Sequence, residues 1–487
     1  MKLLNLENIL ATFFFAILIS INSLYIYTLD LPGIHDFYTK FSIKNIFALF
    51  NYLRFYTPIL LFPILVVILF SQRIKKPDTI IIIFIAYYCW QLFVFFISDR
   101  ATDISSYSLN SSTVSFNSEK GFIWDNLKLV ACALNLLLIF WISKNIDVEK
   151  FTKKILTIAL IFIGLIAIYF IYQLLGESIK DNLKFIYGTK TLSPTGLTFE
   201  QATPRITGIS RFVLIFYFLA LGFFIHNPKK IILYIILILL LLLIYKMQTR
   251  GAFVGIVLSS TILFLFMPVS LKKKIVIFLS IVILPVILFE SYYYAKKLHA
   301  SQYEYVKQEI SKPAPLAKNR ILTTKITDSG RLVIWKNAFF IIKEKKIFLG
   351  YGPQSDRALL LQFKKEYQNS EVYQDKDGNA FVYDNNASNV FLYSYLCGGV
   401  AGLIFMILIY IISINTIIKK ILTEKVFSSN SPLQMFATIL LIYICLRGLF
   451  ENSIALFSVD FIFFILSFLI LQNKLGPMNA NIKKENF

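Results

Sequence analysis

Long apolar runs separated by short basic connectors fill the chain almost from end to end. A helix of about 20 apolar residues crosses the hydrocarbon core of a bilayer. Twelve runs of that order occur, at about 9–28, 56–72, 79–98, 122–143, 155–175, 210–226, 231–247, 252–271, 275–294, 389–416, 432–450 and 455–472. Some, such as Ile231 to Tyr245, have almost no polar interruption. A lipid-facing segment must satisfy its own backbone hydrogen bonds, so these runs are predicted helices. The first follows Met1-Lys2 as a signal peptide would, but it is long and has no clear small-residue cleavage site. It reads as an uncleaved first span.

The connectors set the orientation. With the N-terminus in the cytoplasm, the inner connectors carry Arg73/Lys75/Lys76, Lys144/Lys150/Lys153/Lys154, Lys229/Lys230, Lys272/Lys273/Lys274 and Lys419/Lys420/Lys425, and the tail carries Lys474/Lys483/Lys484. Short, basic inner connectors are what the positive-inside rule requires. Both termini are therefore expected to be cytoplasmic. The outer connectors differ in kind. The stretch Asp99 to Gly121 is polar and Ser-rich, Gly176 to Ile209 is mixed, and Lys296 to Ser388 is by far the largest. The chain thus divides into helices one to nine (1–295), a large outer loop (296–388), and helices ten to twelve with a tail (389–487). Within the loop, Leu332, Trp335, Phe339 and Ile342 recur at helical spacing, with Lys336, Lys343, Lys345 and Lys346 elsewhere on the surface. Such a pattern predicts an amphipathic helix over 331–348 lying in the membrane interface, broken by Gly350-Tyr351-Gly352-Pro353.

Composition agrees with this all-α, polytopic membrane class. The 487 residues are 57% hydrophobic and only 16% charged, with a mean hydropathy of +0.67. Such a balance excludes a disordered chain, a coiled coil and an ordinary soluble enzyme. The 49 Lys+Arg against 28 Asp+Glu would suggest nucleic acid in a soluble protein. Here most basic residues lie in the connectors that set orientation, so no nucleic-acid partner is expected. Cys89, Cys132, Cys397 and Cys445 sit in or beside apolar runs and form neither a disulfide framework nor a zinc spacing. The three histidines, His35, His226 and His299, form no metal pair, and no Gly-rich phosphate loop follows a strand. Neither a metal nor a cofactor is expected.

The candidate chemistry lies on the outer face. Arg205 and Arg211 flank the start of the sixth run, and Arg250 lies in the tight connector Gln248-Thr249-Arg250-Gly251. Arg331 begins the amphipathic helix, and Arg447 lies near the outer end of the eleventh run. A guanidinium offers a planar fork of donors that fits phosphate oxygens two at a time, and it stays charged. A cluster of them at one leaflet suits a lipid-linked diphosphate, whereas a lone arginine snorkelling to headgroups would serve only anchorage. Arg447 and Glu451 are four residues apart and can pair on one helix. Ionisable groups at membrane depth usually face the bundle interior; Asp460, and Asp125 with Lys128, are weaker signals of the same kind. The run Asp384-Asn385-Asn386-Ala387-Ser388-Asn389 can cap the tenth helix or place polar groups at the mouth of the bundle.

Several short motifs, in order from Arg205 to Glu451, resemble those of the O-antigen ligase and O-antigen polymerase superfamily of bacterial envelope enzymes. Arg205 and Gly208 match an Arg-x-x-Gly; Thr249-Arg250-Gly251-Ala252 matches a Ser-Arg-Gly-Ala turn. Arg331, Trp335 and Gly350-Tyr351-Gly352-Pro353 match an Arg, a Trp and a Gly-x-Gly in the large loop. Ala387-Ser388-Asn389, then Leu392, Gly399, Gly402 and Leu403, match an Ala-His-Asn motif entering a Gly-containing span. Two departures stand out: Ser388 replaces the family's histidine, and Cys397 replaces an acidic residue often found there. Because that histidine helps activate the acceptor in ligases, Ser388 favours a polymerase-like member and leaves the general base unassigned.

The resemblance implies metal-independent glycosyl transfer at the periplasmic face of the bacterial inner membrane, in lipopolysaccharide biosynthesis. The donor would be an oligosaccharide on undecaprenyl diphosphate; the acceptor would be another lipid-linked repeat, or lipid A-core in a ligase. Catalytic roles then fall to Arg250 and Arg331 on the leaving diphosphate, to Asp384 and Glu451 as base candidates, and to Asn389 as an orienting group. Arg205, Arg211, Trp335, Ser388 and Arg447 would bind substrate. A secondary transporter or lipid-glycan flippase shares the twelve-span layout, but a two-half transporter would carry its long connector in the middle and inside. A lipid-phosphate-sugar glycosyltransferase with its acids in the first outer loop would have to rely on Asp30 and Asp36.

Overall fold

The computed structural model describes residues 59–67, 70, 76–98, 130–131, 133–141, 206–226, 230–247, 250–267, 270–279, 283, 287, 291, 331–353, 355–356, 359–360, 387–428, 431–452, 454 and 459–472. Among them the secondary structure is helical, without a strand. In chain order the α-helices are α1 (Thr79–Ile97), α2 (Ile206–His226), α3 (Ile231–Met247), α4 (Arg250–Phe266), α5 (Leu271–Phe278), α6 (Arg331–Glu344), α7 (Val390–Ile418), α8 (Pro432–Gly448) and α9 (Val459–Gln472). A π turn, Lys419–Thr423, prolongs α7. Two helices among the described residues, Thr79–Ile97 and Val390–Thr423, are long and apolar enough to cross a membrane, and α2, α3, α4, α8 and α9 contain shorter apolar stretches.

These helices fall on the apolar runs, with informative differences at their ends. The run expected at 210–226 begins at Ile206 instead, and α2 takes Arg211 into its first turns. The arginine need not end the helix because two carboxylates meet it there. The run expected at 252–271 stops at Phe266, just before Pro268, which has no N–H to give and crowds the residue before it. The spans at 9–28 and 155–175, and the tail, lie outside the described residues; those at 56–72, 122–143 and 275–294 are described only in part.

The core is built by helix packing around α2 and α8. α2 lies against α3, α4 and α8; α8 also lies against α7 and α9; α1 lies along α7. Aromatic edges make much of the fit. Phe84 of α1 meets Phe461 and Phe464 of α9 at 5.6 and 5.7 Å between ring centres, and Phe218 of α2 meets Tyr443 of α8 at 5.5 Å. These are edge-on contacts of the kind the ring quadrupole favours. Conversely, large apolar side chains such as Ile232, Leu239, Val254, Leu265 and Ile404 are exposed. So much outward apolar surface suits lipid rather than water.

α6 is held by a different stripe from the one its periodicity suggests. Ile334, Ala338 and Ile341 are buried against Leu392, Tyr393 and Leu396 of α7, while Leu332 and Phe339 remain exposed. The helix therefore has two apolar edges, one packed on the bundle and one open. The chain after α6 then enters a break in α7. Gly399 takes φ 62° and ψ −152°, which interrupts the helix. The backbone groups released there are met from outside: Tyr351 N–H donates to Leu396 O (3.0 Å), Gly352 N–H to Cys397 O (2.6 Å), and Val400 N–H to Phe348 O (3.0 Å). The Trp90 indole of α1 donates to Gly398 O at 2.7 Å. Broken backbone is tolerated at membrane depth only where protein or cavity groups satisfy it, and here the Gly-Tyr-Gly segment does so.

Candidate functional site

α7 starts at Asn389, whose side-chain oxygen accepts from Phe391 N–H (2.9 Å) and Leu392 N–H (3.0 Å). This is an N-cap, which satisfies donors that a helix start leaves over. The Asn389 amide also donates to Leu449 O (2.9 Å), and Asn389 N–H donates to Asn452 Oδ1 (3.1 Å). Asn452 in turn donates to Asp356 Oδ2 (3.1 Å), which also accepts from Ala387 N–H (2.8 Å). The start of α7 is thus pinned to the turn that follows α8. Within the pinned segment Ser388 takes φ 49°, in the left-handed region, and its carbonyl accepts from the Trp335 indole (3.3 Å). Trp335 also stacks on Phe450 at 6.2 Å. α6, the start of α7 and the end of α8 therefore meet at one place.

Three arginines from three helices converge there on one carboxylate. Arg331 Nη2 of α6 is 3.0 Å from Glu451 Oε1, Arg211 Nη2 of α2 is 3.7 Å from Glu451 Oε2, and Arg447 of α8 pairs with Glu451 Oε2 as well. Asp460 of α9 lies on the inner side, with Oδ2 3.0 Å from Arg447 Nε and Oδ1 3.5 Å from Arg211 Nη1. The Arg447 guanidinium is committed all round, because its Nη1 donates to the Tyr443 hydroxyl at 2.8 Å. The two carboxylates differ in exposure: Asp460 is 2% exposed and Glu451 33%. Burial by itself would raise the Glu451 carboxyl, but the guanidinium groups of Arg447, Arg211 and Arg331 outweigh it and bring the carboxyl down to about 2.

Of the residues expected from sequence, Arg211, Arg331, Arg447 and Glu451 come together in this cluster, and Trp335, Ser388 and Asn389 border it. Arg250 is the first residue of α4. Its neighbour Gly251 lies against the cluster, since a methyl group there would sit 3.8 Å from Arg447 Nη1. Arg205 and Asp384 lie outside the described residues, as do Asp125 and Lys128. Asp460, Tyr443, Asn452 and Asp356 are contributors that the sequence did not place in the site. Asp460 had a signal, a carboxylate inside an apolar run. Tyr443 shares a helix face with Arg447 four residues on. Nothing in the sequence marks Asn452 or Asp356. Among the described residues no three His, Cys, Asp or Glu side chains are placed to hold a metal ion.

The geometry gathers three guanidinium groups, paired with two carboxylates, where α2, α6, α8 and α9 meet, and it offers donors suited to phosphate oxygens. No curated protein and no solved structure matches the chain. Residues 235–407 match the family model described as O-antigen ligase. The matched stretch includes Arg250, Arg331, Trp335, Ser388 and Asn389, whereas Arg211, Arg447, Glu451 and Asp460 pack onto it from outside its bounds. Over residues 235–407, about a third of the chain, it is thus similar to the O-antigen ligase family, whose members are glycosyltransferase-like membrane enzymes.

Proposed function

We propose that the protein transfers glycan from undecaprenyl diphosphate to an acceptor hydroxyl at the periplasmic face of the inner membrane. The observation that carries this reading is the convergence of Arg211, Arg331 and Arg447 on a single point beside the N-terminus of α4. In the reaction the acceptor oxygen bonds to the anomeric carbon, the bond from that carbon to the phosphate oxygen breaks, and the diphosphate leaves with its bonding pair. A base takes the acceptor proton. Negative charge grows on the leaving diphosphate, and preorganised guanidinium groups stabilise it. Arg331, more exposed than Arg447, is the fork freest to engage it, with Arg250 at the adjoining helix start. Arg211 and Arg447 bind the same groups from the bundle side, and Arg205, outside the described residues, is assigned the same task on sequence grounds alone.

Asn389 spends its side chain on the cap and on Leu449, so it serves by positioning the Ser388 turn and Trp335 against the site. Trp335 offers an aromatic face of the kind sugars stack on. Asp384 and Glu451 are the base candidates; Glu451 is the weaker base while three arginines hold it. Ser388, in the place of the family's histidine, favours polymerisation, with another lipid-linked repeat as acceptor. Transfer of finished polymer to lipid A-core is the second reading, and the word ligase in the description of the matching family supports it.

Deletion separates the two. Loss of a polymerase leaves single repeat units on lipid A-core; loss of a ligase leaves the core bare while lipid-linked polymer accumulates. Complementation with Arg331→Ala at normal protein level should reproduce the deletion. Full-length polysaccharide in that strain would overturn the assignment, and unaltered glycan transfer with impaired movement of the lipid-linked unit would favour a transporter or flippase.

A further inference from the structure

The two carboxylates among the arginines occupy different kinds of place. Asp460 is nearly fully buried within α9 and pairs with Arg211 and Arg447 from the interior side. Glu451 lies beyond the end of α8, in the turn after Gly448, and is one-third exposed. Its two oxygens take guanidinium groups from α2, α6 and α8 at once. A carboxylate gripped by three forks has the charge and the paired oxygens that a phosphate group would present to the same forks.

Charge counting sharpens the contrast. Arg211, Arg331 and Arg447 carry three positive charges against two negative ones, so the cluster is nearly neutralised before any ligand arrives. A diphosphate entering between Arg331 and Arg447 would meet the Glu451 carboxylate in the same place. Two like charges at contact distance in a partly desolvated site repel strongly. Asp460 poses no such obstacle, because the arginines stand between it and the exposed side. The backbone of the turn that carries Glu451 is held by Arg447 O, which accepts from Phe450 and Glu451 N–H, and by the ties of Leu449 and Asn452 to Asn389 and Asp356, so an exchange of anions needs only the Glu451 side chain to swing away.

We infer that Glu451 is an internal stand-in for the donor's diphosphate, filling the three-arginine cradle until the donor displaces it, while Asp460 is the permanent counter-ion that positions Arg211 and Arg447. The inference rests on the diphosphate reading above and adds a division of labour to it. Binding then exchanges one anion for another rather than filling a bare cationic hole. The exchange keeps three arginines from repelling one another in the free protein, and it sets a threshold that headgroups bearing a single phosphate do not easily pass.

The test is binding of inorganic pyrophosphate to the full-length chain in detergent, by calorimetry, with folding checked by size-exclusion profile and thermal transition. Glu451→Gln removes the competing charge and should tighten binding by about tenfold, the equivalent of 1.4 kcal/mol. Glu451→Asp, which shortens the reach by one methylene, should tighten it less, and it serves as the readout if the glutamine variant does not fold. Asp460→Asn should weaken binding, with partial rescue by Asp460→Glu. Unchanged or weaker binding in a folded Glu451 variant would overturn the stand-in role. Tighter binding in Asp460→Asn, matching that of Glu451→Gln, would overturn the division between the two acids. Arg331→Ala separates the levels. If it binds pyrophosphate as well as the parent does, the diphosphate reading itself fails. If it loses binding while Glu451→Gln gains none, only the present inference fails.

Discussion

A methyl group on Gly399 would overlap the carbonyl oxygen of Phe348, the atom that accepts the Val400 N–H across the break in α7. The backbone at Gly399, with φ 62° and ψ −152°, lies in a region that residues with a Cβ scarcely enter. Gly399→Ala therefore suffers twice, by strain and by expulsion of the 348–352 segment. Strain of this kind costs about 1–3 kcal/mol, and the lost fit of the 348–352 segment against α7 adds to it. A markedly lower thermal transition in detergent is expected, together with loss of polysaccharide, because α6 and Arg331 are anchored through that segment. Gly402→Ala on the same helix is a useful comparison: its methyl would crowd Ser394 O, but no inserted segment depends on it.

Arg447 is a residue for which charge alone should not suffice. Its three nitrogens serve Asp460, Tyr443 and Glu451. Lysine keeps the charge but presents a point rather than a planar fork. Arg447→Lys should therefore lower glycan transfer by on the order of 10²-fold, the usual cost of one preorganised donor at a developing negative charge. Arg331→Lys, at a more exposed position with a single described partner, should retain more activity. Assays of lipid-linked glycan consumption on the two variants, at matched protein levels, check the ordering.

How much of this was legible beforehand follows from distance along the chain. The apolar runs were plain because each helix satisfies its backbone locally, so the ends of α3, Ile231 and Met247, fall where the run begins and stops. The Arg447–Glu451 pair was legible for the same reason, being four residues apart. The meeting of Arg331 with Glu451 spans 120 residues, and no local pattern encodes it. Gly398-Gly399 looked like ordinary helix in an apolar run, since nothing in the run itself shows that another segment will supply the missing hydrogen bonds. The stripe on α6 misled for a related reason: two apolar edges are present, and periodicity does not say which one meets protein. Asn452 and Asp356 gave no signal because their task is to tie loops whose proximity only the packed helices create.

The low proton affinity of Glu451 has a consequence for acid stability. A carboxyl whose folded-state value lies near 2, against about 4.3 in an unfolded chain, stabilises the fold fully above the unfolded value. That stabilisation is lost as pH falls through the interval between the two. The thermal transition of the detergent-solubilised protein should accordingly drop between about pH 4.5 and pH 2.5. In Glu451→Gln the transition should start lower at neutral pH, because three arginines lose a counter-ion, and it should slope less across that acid interval. An identical slope in both proteins would mean that Glu451 does not sense its arginines in solution.

Asn389 allows the cap to be separated from the clasp. Its side-chain oxygen caps α7 through Phe391 and Leu392, while its amide nitrogen ties α7 to Leu449, two residues before Glu451. Asn389→Ala loses both, about 1 kcal/mol for the cap and a similar amount for the partly buried hydrogen bond. Asn389→Asp keeps an acceptor at the helix N-terminus, where a negative charge is favoured, and loses only the donor to Leu449. Thermal stability in the aspartate variant should therefore recover about half of what alanine loses. Glycan transfer should stay low in both, because each loses the side-chain tie from Asn389 to Leu449 and the turn bearing Glu451 keeps only its remaining bonds through Asn452 and Arg447. Recovery of transfer along with stability in Asn389→Asp would show that the cap alone matters and that the tie to Leu449 does not position the arginine cluster.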